Sequence, residues 1–279
     1  MLITKIWERA HGGKYTHMRI PGITVTSRGD IIICAEARRS GSDWAEIDIV
    51  ARRSRDGGEM WSEPEDITPA TLPHYRNAFA LGPGHGIRTS RGVLAFPFWL
   101  VPKRFGAPER SHVPSEVGVL CSADDGKTWR TTPILPARED IVSPNETVAS
   151  ELADGRLYLA VRQNAPARAY AVLESDLSYF CEYAPVEGVR DPVCFGSVAS
   201  VRESLVLVNC DHAEKRVNVT LHTSADGGKT WRRALTVDES RGGYADIAYD
   251  PVRGKIYVLY ENEYGRELYL AVIDESEVF

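Results

Sequence analysis

The stretch Met18-Arg19-Ile20-Pro21-Gly22 places a guanidinium beside a proline at the start of a β-prone run. Proline fixes its own φ and biases the preceding residue toward extended backbone, so Pro21 predicts an extended Ile20 and an aimed Arg19. A β-rich run from Asp30 to Ala37 then leads to Arg38, and a Gly-Ser-Asp turn follows with Asp43. Two cations and a carboxylate thus issue from one small β-unit, a set able to hold an anion and move a proton. Taken alone, these would be a surface arginine and a turn aspartate. The rest of the chain gives them weight.

What must position them is a repeat. Ser54-Arg-Asp56-Gly-Gly58-Glu-Met-Trp61 recurs as Ser122-Ala-Asp124-Asp-Gly126-Lys-Thr-Trp129 and as Ser224-Ala-Asp226-Gly-Gly228-Lys-Thr-Trp231. Each copy follows a strand-like run, and its residues suit a tight hairpin. The Asp can accept from its own turn's backbone, the Gly supplies positive φ, and the Trp returns as an apolar anchor. Glu174-Ser-Asp176-Leu-Ser178-Tyr-Phe180 reads as a degraded fourth copy without the Gly and Trp.

Pairs of extended runs precede the boxes: Gly22 to Thr26 with Asp30 to Ala37, Gly86 to Thr89 with Val93 to Phe98, and Thr147 to Leu152 with Arg156 to Val161. Ser197 to Val201 pairs with Leu205 to Asn209, and Ala245 to Tyr249 with Lys255 to Tyr260. The turns between them carry Gly, Asp, Ser or Pro. No segment of useful length has helical periodicity. The expectation is an all-β propeller of five four-stranded blades, one domain over residues 1–279. Its last blade would use Leu268 to Ile273 and be completed by Leu2 to Trp7, which removes a free edge.

A net charge of −6 gives no electrostatic footprint for nucleic acid or an anionic membrane, and no run reaches spanning length. The five cysteines, Cys34, Cys121, Cys181, Cys194 and Cys210, form no CxxC pair and mostly sit in apolar runs, so they read as buried thiols in a reducing compartment. The N-terminal residues show no apolar signal region or cleavage site. The expectation is a cytoplasmic chain, with secretion left open should a leader have been trimmed. No His/Cys/Asp cluster has metal-ligand spacing and no glycine loop would cradle phosphate, so neither metal nor cofactor is expected. Oligomeric state is not legible.

The box resembles the Asp-box (BNR) repeat, and across nearly its whole length the chain resembles the exo-sialidase superfamily. That resemblance implies a three-arginine clamp on a substrate carboxylate, a Tyr–Glu nucleophilic pair and an Asp acid/base. Arg19 stands in the family's Arg-Ile-Pro, Arg38 ends the following Ala35-Glu36-Ala37-Arg38, and Asp43 lies in the loop of the acid/base. Asn145-Glu146 and Leu159-Ala-Val-Arg162 match the segment of the glutamate and the second arginine, and Arg216 falls at the third. Gly243-Tyr244-Ala-Asp246 matches the nucleophile segment, and Leu259-Tyr260-Glu261 the glutamate that orients the first arginine. Gly82-Pro-Gly84-His85-Gly86 is shared too, with His85 read as a packed or backbone-bonded histidine rather than a catalyst.

The implied substrate is a sialylated or related glycan. Sialic acid bears a carboxylate on its anomeric carbon, and a carboxylate nucleophile facing it would meet repulsion on the order of 4 kcal/mol at intermediate dielectric. A tyrosine is neutral until Glu146 takes its proton. The chain departs from the family in blade number, since six is the family norm. Between Trp61 and Gly82 there is no room for a blade that helps line the C5 side of the pocket. Arg76 and Asn77, with Phe98 and Trp99, are expected to stand in for part of it, which leaves N-acetylneuraminic acid, its deaminated relative KDN or another nonulosonic acid as candidates. A non-catalytic propeller binding acidic glycans, and a propeller lyase or intramolecular transferase, are the competing readings.

Overall fold

The computed structural model describes residues 2–7, 14–25, 29–42, 47–66, 79–101, 112–123, 130–263 and 265–279. Five antiparallel sheets form a five-bladed β-propeller. The first blade runs His17–Val25, Ile31–Arg38, Ile47–Ser54 and Glu65–Asp66 from inside outward. The third takes Thr147–Glu151, Leu157–Val161, Ala167–Leu173 and Phe180–Arg190, and the fourth Ser197–Val201, Ser204–Cys210, Val217–Ser224 and Arg232–Arg241. In the fifth, Ala245–Asp250, Lys255–Asn262 and Glu267–Asp274 are joined by Leu2–Trp7, which pairs Leu2 with Val272 and Thr4 with Leu270. The expected closure is therefore present.

The second blade departs from four simple strands. Phe79–Leu81 and Ile87–Arg88 both pair with Leu94–Leu100, followed outward by Glu116–Ser122 and Arg130–Thr131. Its inner strand is broken in two because Gly82-Pro83-Gly84-His85-Gly86 loops out between the pieces, and Gly82 and Gly84 both have positive φ.

Burial follows position in the blade. Leu157–Val161 is buried at every residue, as a second strand covered on both faces must be, whereas Arg232–Arg241 is largely exposed at the rim. The apolar faces stack between blades. Ile31 and Ile33 meet Tyr257 and Leu259 between the first and fifth, and Val119 meets Leu157 and Leu159 between the second and third. A larger cluster joins the third, fourth and fifth.

The first and third boxes are built alike. Ser54 and Ser224 donate to Asp56 and Asp226 at 2.7 and 2.8 Å and accept the amides of Gly58 and Gly228 at 2.8 and 2.9 Å. Trp61 and Trp231 donate through Nε1 to those glycines' carbonyls. Each box docks on the preceding blade in the ring: a Cβ on Gly228 would lie 2.1 Å from the Tyr158 ring, and Gly58 touches Leu270. In the degraded copy Asp176 still accepts the Ser178 amide, and Leu177 takes the glycine's positive φ. Most of the second box, Asp124 to Trp129, lies outside the described residues.

Two expectations about the chain's local structure fare differently. Cys121, Cys194 and Cys210 are buried free thiols and Cys181 is half-buried; the Cys34 side chain lies outside what is described. Ile20, however, is not extended: its φ is +55°, and the ladder shifts register between Arg19 and Gly22. A β-branched residue in that region is strained. The proline's steric bias is overridden by a buried carboxylate that accepts the Ile20 amide, Glu261 Oε1 at 3.0 Å. Among the described residues no helix is long and apolar enough to cross a membrane.

Candidate active site

Inner strands start, and second strands end, at the same mouth of the propeller, and that is where the candidate residues fall. Arg19 lies near the start of its inner strand, and Glu146 and Tyr244 immediately precede theirs. Arg38 ends a second strand, Arg162 follows one, and Glu261 sits one residue from the end of another. Third strands run the same way as inner strands, so Arg216, just before Val217–Ser224, is carried to the same mouth. The ladder continues past the strand ends to fix these residues: the Arg162 amide donates to Glu146 at 3.0 Å, Glu261 to Tyr244 at 2.8 Å, and Gly242 to Arg216 at 2.8 Å.

A cavity of about 450 Å³ opens there, lined by Arg19, Arg38, Glu146, Arg162, Arg216 and Tyr244 together with Glu36, Asn145 and Asn164. The Tyr244 hydroxyl donates to Glu146 Oε1 and accepts from an Arg162 NH group at 2.6 Å, while the same guanidinium nitrogen is ion-paired with Glu146 Oε2. The guanidinium carbons of Arg19, Arg216 and Arg162 stand 4.9, 5.5 and 5.7 Å from the centre of the Tyr244 ring. Three cations thus surround one phenol.

Glu261 joins the first and fifth blades under this cluster. Its Oε1 accepts Arg19 Nε at 2.6 Å as well as the Ile20 amide, and its Oε2 accepts the Tyr244 amide at 3.1 Å. A Cβ on Gly243 would lie 2.5 Å from Oε2, so the carboxylate's approach needs the glycine. Arg38 is buried and donates to Glu36 Oε2 at 2.7 Å, and Arg216 reaches the Val193 carbonyl at 3.4 Å.

Electrostatics keep the phenol protonated at rest. Burial pushes the Tyr244 hydroxyl well above the usual tyrosine range, the Glu146 charge adds to this, and Arg162 opposes it. Burial pulls the Arg162 guanidinium down, but Glu146 and Tyr244 more than compensate and hold it raised. The Arg162 Nε is buried and has no hydrogen-bond partner among the described residues. Such a group can protonate neither neighbour, yet it can polarise both.

Asp43 and Asn77 lie outside the described residues, as do Tyr75 and Arg76. Of the pair expected to face the cavity, Trp99 does so, but Phe98 points the other way into the core against Gly118. Adjacent strand residues cannot share a face. The sequence did not single out Glu36, Leu81, Pro83, His112, Val113 or Asn164 as lining the cavity. Glu36 could have been found, since it stands two residues from Arg38 on the same strand face. His112 packs edge-on against Trp99 at 5.6 Å, a contact no local pattern announces. His85 is a packed histidine outside this cavity, bonded to the Asp246 carboxylate rather than to backbone. Among the described residues no group of His, Cys, Asp and Glu could hold a metal ion.

The geometry can be set against known proteins. The family described as a BNR repeat-like domain matches residues 4–265. A sialidase of Bacteroides fragilis is 28% identical over 239 residues, which are 80% of this chain and 41% of that protein. Human sialidase-3 is 26% identical over 253 residues, 85% of this chain and 54% of its own length. The chain thus spans about half the length of these curated relatives. The NanB sialidase of Streptococcus pneumoniae superposes with a TM-score of 0.74 over 99% of this chain and 71% of that one, at 12% identity, a likeness of fold.

Proposed function

The chain belongs to the BNR repeat-like domain family, and from that premise we propose that it is a retaining exo-glycoside hydrolase removing terminal α-linked sialic acid or a related nonulosonic acid. The observation that carries the reading is the contact of the Tyr244 hydroxyl with both Glu146 and Arg162, inside a cavity that also holds Arg19 and Arg216. A glycan-binding propeller needs the arginines but has no use for a buried phenol on a carboxylate. The curated relatives named sialidase support the same chemistry.

In this reading Arg19, Arg162 and Arg216 hold the substrate carboxylate, placing the anomeric carbon over Tyr244. The phenol oxygen attacks that carbon while Glu146 accepts its proton, so negative charge appears on oxygen only as the bond forms. Asp43, assigned by resemblance, protonates the departing glycosidic oxygen. In the second step it takes a proton from water, which attacks the same carbon and returns the phenolate to Tyr244 and, from Glu146, its proton. Two inversions give net retention. Arg38 with Glu36 would face ring hydroxyls, and Glu261 orients Arg19. In a ring one blade short of the family norm, Leu81, Pro83, Trp99 and Val113 would contact the sugar, and KDN, with its smaller C5 substituent, stays a candidate beside N-acetylneuraminic acid.

The test is release of 4-methylumbelliferone from its α-sialoside and KDN glycoside, with proton NMR of the first-formed anomer. Retention gives the α-anomer first, and Tyr244→Phe lowers turnover by at least ~10³-fold. Release of an anhydro or unsaturated sugar would favour the transferase or lyase reading, and full activity in Tyr244→Phe would remove the nucleophile.

A further inference from the structure

Directly behind the cavity the blades are tied by one carboxylate. Asp246 is fully buried. Its Oδ2 accepts the Ile23 amide of the first blade at 2.7 Å, and its Oδ1 accepts the Ser197 hydroxyl of the fourth at 2.5 Å. Oδ1 also meets His85 Nδ1 of the second blade at 2.9 Å. Four of the five blades therefore converge on a residue two positions after Tyr244. Asp246 stands two positions after Tyr244, and alternation along an extended segment turns such residues to one side. A second route links them: Gly84 approaches both Asp246 and Phe195, and the Phe195 ring packs 5.5 Å from that of Tyr244.

This arrangement sets an electrostatic problem that the proposed mechanism does not solve. A fixed negative charge beside a phenol opposes the transfer of its proton. We propose that His85 is a positioning residue for Tyr244, acting through Asp246: its imidazolium holds the carboxylate and cancels the charge beside the nucleophile. The inference rests on the hydrolase reading for its catalytic consequence, while the His85–Asp246 contact and the packing of Phe195 on Tyr244 supply its structural link.

The surroundings identify Asp246 as the partner that matters. The channel on His85's far side is also lined by Arg88 of its own blade, Glu151 of the third and Tyr249 of the fifth. Ile23 represents the first blade there and Ala199 and Ser200 the fourth, none of them titratable. Glu151 is taken by the Ser90 amide and hydroxyl, both at 2.7 Å, and Tyr249 donates to Glu275. Burial lowers the affinity of His85 for its proton, and the Asp246 charge and hydrogen bond more than restore it, leaving it raised above the ordinary histidine range. The imidazolium therefore persists to higher pH than that of an ordinary histidine and is lost as pH rises further.

The experiment compares wild type with His85→Asn, which keeps a donor near the Nδ1 position and removes the charge. The ratio of their kcat values on the 4-methylumbelliferyl α-sialoside, read from pH 5 to 9, cancels every other ionisation. It should fall from roughly five-fold at the acid end to one at the alkaline end, with KM within two-fold. A ratio independent of pH, or of one throughout, overturns the proposal. Should the variant not fold, wild type alone decides. With ¹³Cζ-tyrosine and ¹⁵N-histidine labels, the Tyr244 carbon should shift with the midpoint of the His85 imidazole, and a Tyr244 signal unmoved through that titration overturns the link. Wild type that releases no sugar sinks the hydrolase reading, while the carbon titration still tests this one.

Discussion

Arg19 and Glu261 lie 242 positions apart in sequence and are joined by a 2.6 Å hydrogen bond that couples a cavity-lining cation to the backbone of the Tyr244 segment. Because the same carboxylate also takes the amides of Ile20 and Tyr244, it fixes an arginine, a strained turn and a tyrosine at once. A glutamine can accept through one atom only, and its NH₂ would face a donor. Glu261→Gln should therefore lower kcat/KM by roughly 30- to 160-fold, the 2–3 kcal/mol expected when a charged hydrogen bond becomes a mismatch. Sialoside kinetics check it, and a loss under two-fold would mean that Arg19 is held by something else.

Arg216 packs against the Tyr244 ring and, among the described residues, hydrogen-bonds one carbonyl at 3.4 Å, so its planar fork is available for an anion. Arg216→Lys keeps the charge and loses the fork. The expected cost is roughly 2–4 kcal/mol of transition-state binding, measured as kcat/KM. A loss below ~0.5 kcal/mol would take this arginine out of the substrate clamp.

The boxes predict stability rather than activity. Gly228→Ala places a methyl 2.1 Å from Tyr158 and forces alanine to a φ of +89°, whereas Gly227→Ala at +75° meets nothing within 4 Å. The first should cost about 3 kcal/mol and the second about 1 kcal/mol. Thermal melts should separate the two by several degrees. Equal shifts would show that the interblade contact contributes nothing.

His222 supplies an acid-side weakness. Burial, opposed by the Asp211 charge and reinforced by Arg233 and Arg190, pulls its imidazole down to about 4. A base whose affinity for protons is depressed on folding stays neutral while the unfolded chain charges near 6.5. Its stabilising contribution is present above that pH and lost as pH falls toward 4, about 3 kcal/mol in all. Urea titrations at pH 7 and 4 should show a shallower decline in His222→Gln than in wild type, and parallel declines would assign the acid sensitivity elsewhere.

The propeller was legible because its signals are local. Ser-x-Asp-x-Gly-x-x-Trp closes a turn within eight residues, and the paired runs between boxes alternate or saturate with apolar side chains as blade position requires. The candidate cluster was legible only as types in order, and the structure brings Arg19, Glu146, Arg162, Arg216, Tyr244 and Glu261 to one mouth because each falls at a matching strand end. What escaped was tertiary in origin. The left-handed Ile20 answers to Glu261, on the far side of the chain, and not to its neighbour Pro21. The turn of Trp99 toward the cavity and of Phe98 into the core follows from a ladder register that a stretch of aromatics does not disclose. The carboxylate against which His85 packs was not legible either, because Asp246 is 161 positions away.

The pairing of Leu2–Trp7 with Glu267–Asp274 has a consequence for how the molecule is made. On the ribosome the first strand emerges long before the edge it will cover, so it must remain unclaimed through the synthesis of more than two hundred residues. Until then the fifth sheet has a bare edge, open to strands of other chains. This seam is thus the pairing most distant in sequence, the kind of contact whose loop-closure cost slows folding. A substitution that weakens this seam would register first as aggregation during expression and only later as lost heat resistance in the purified protein.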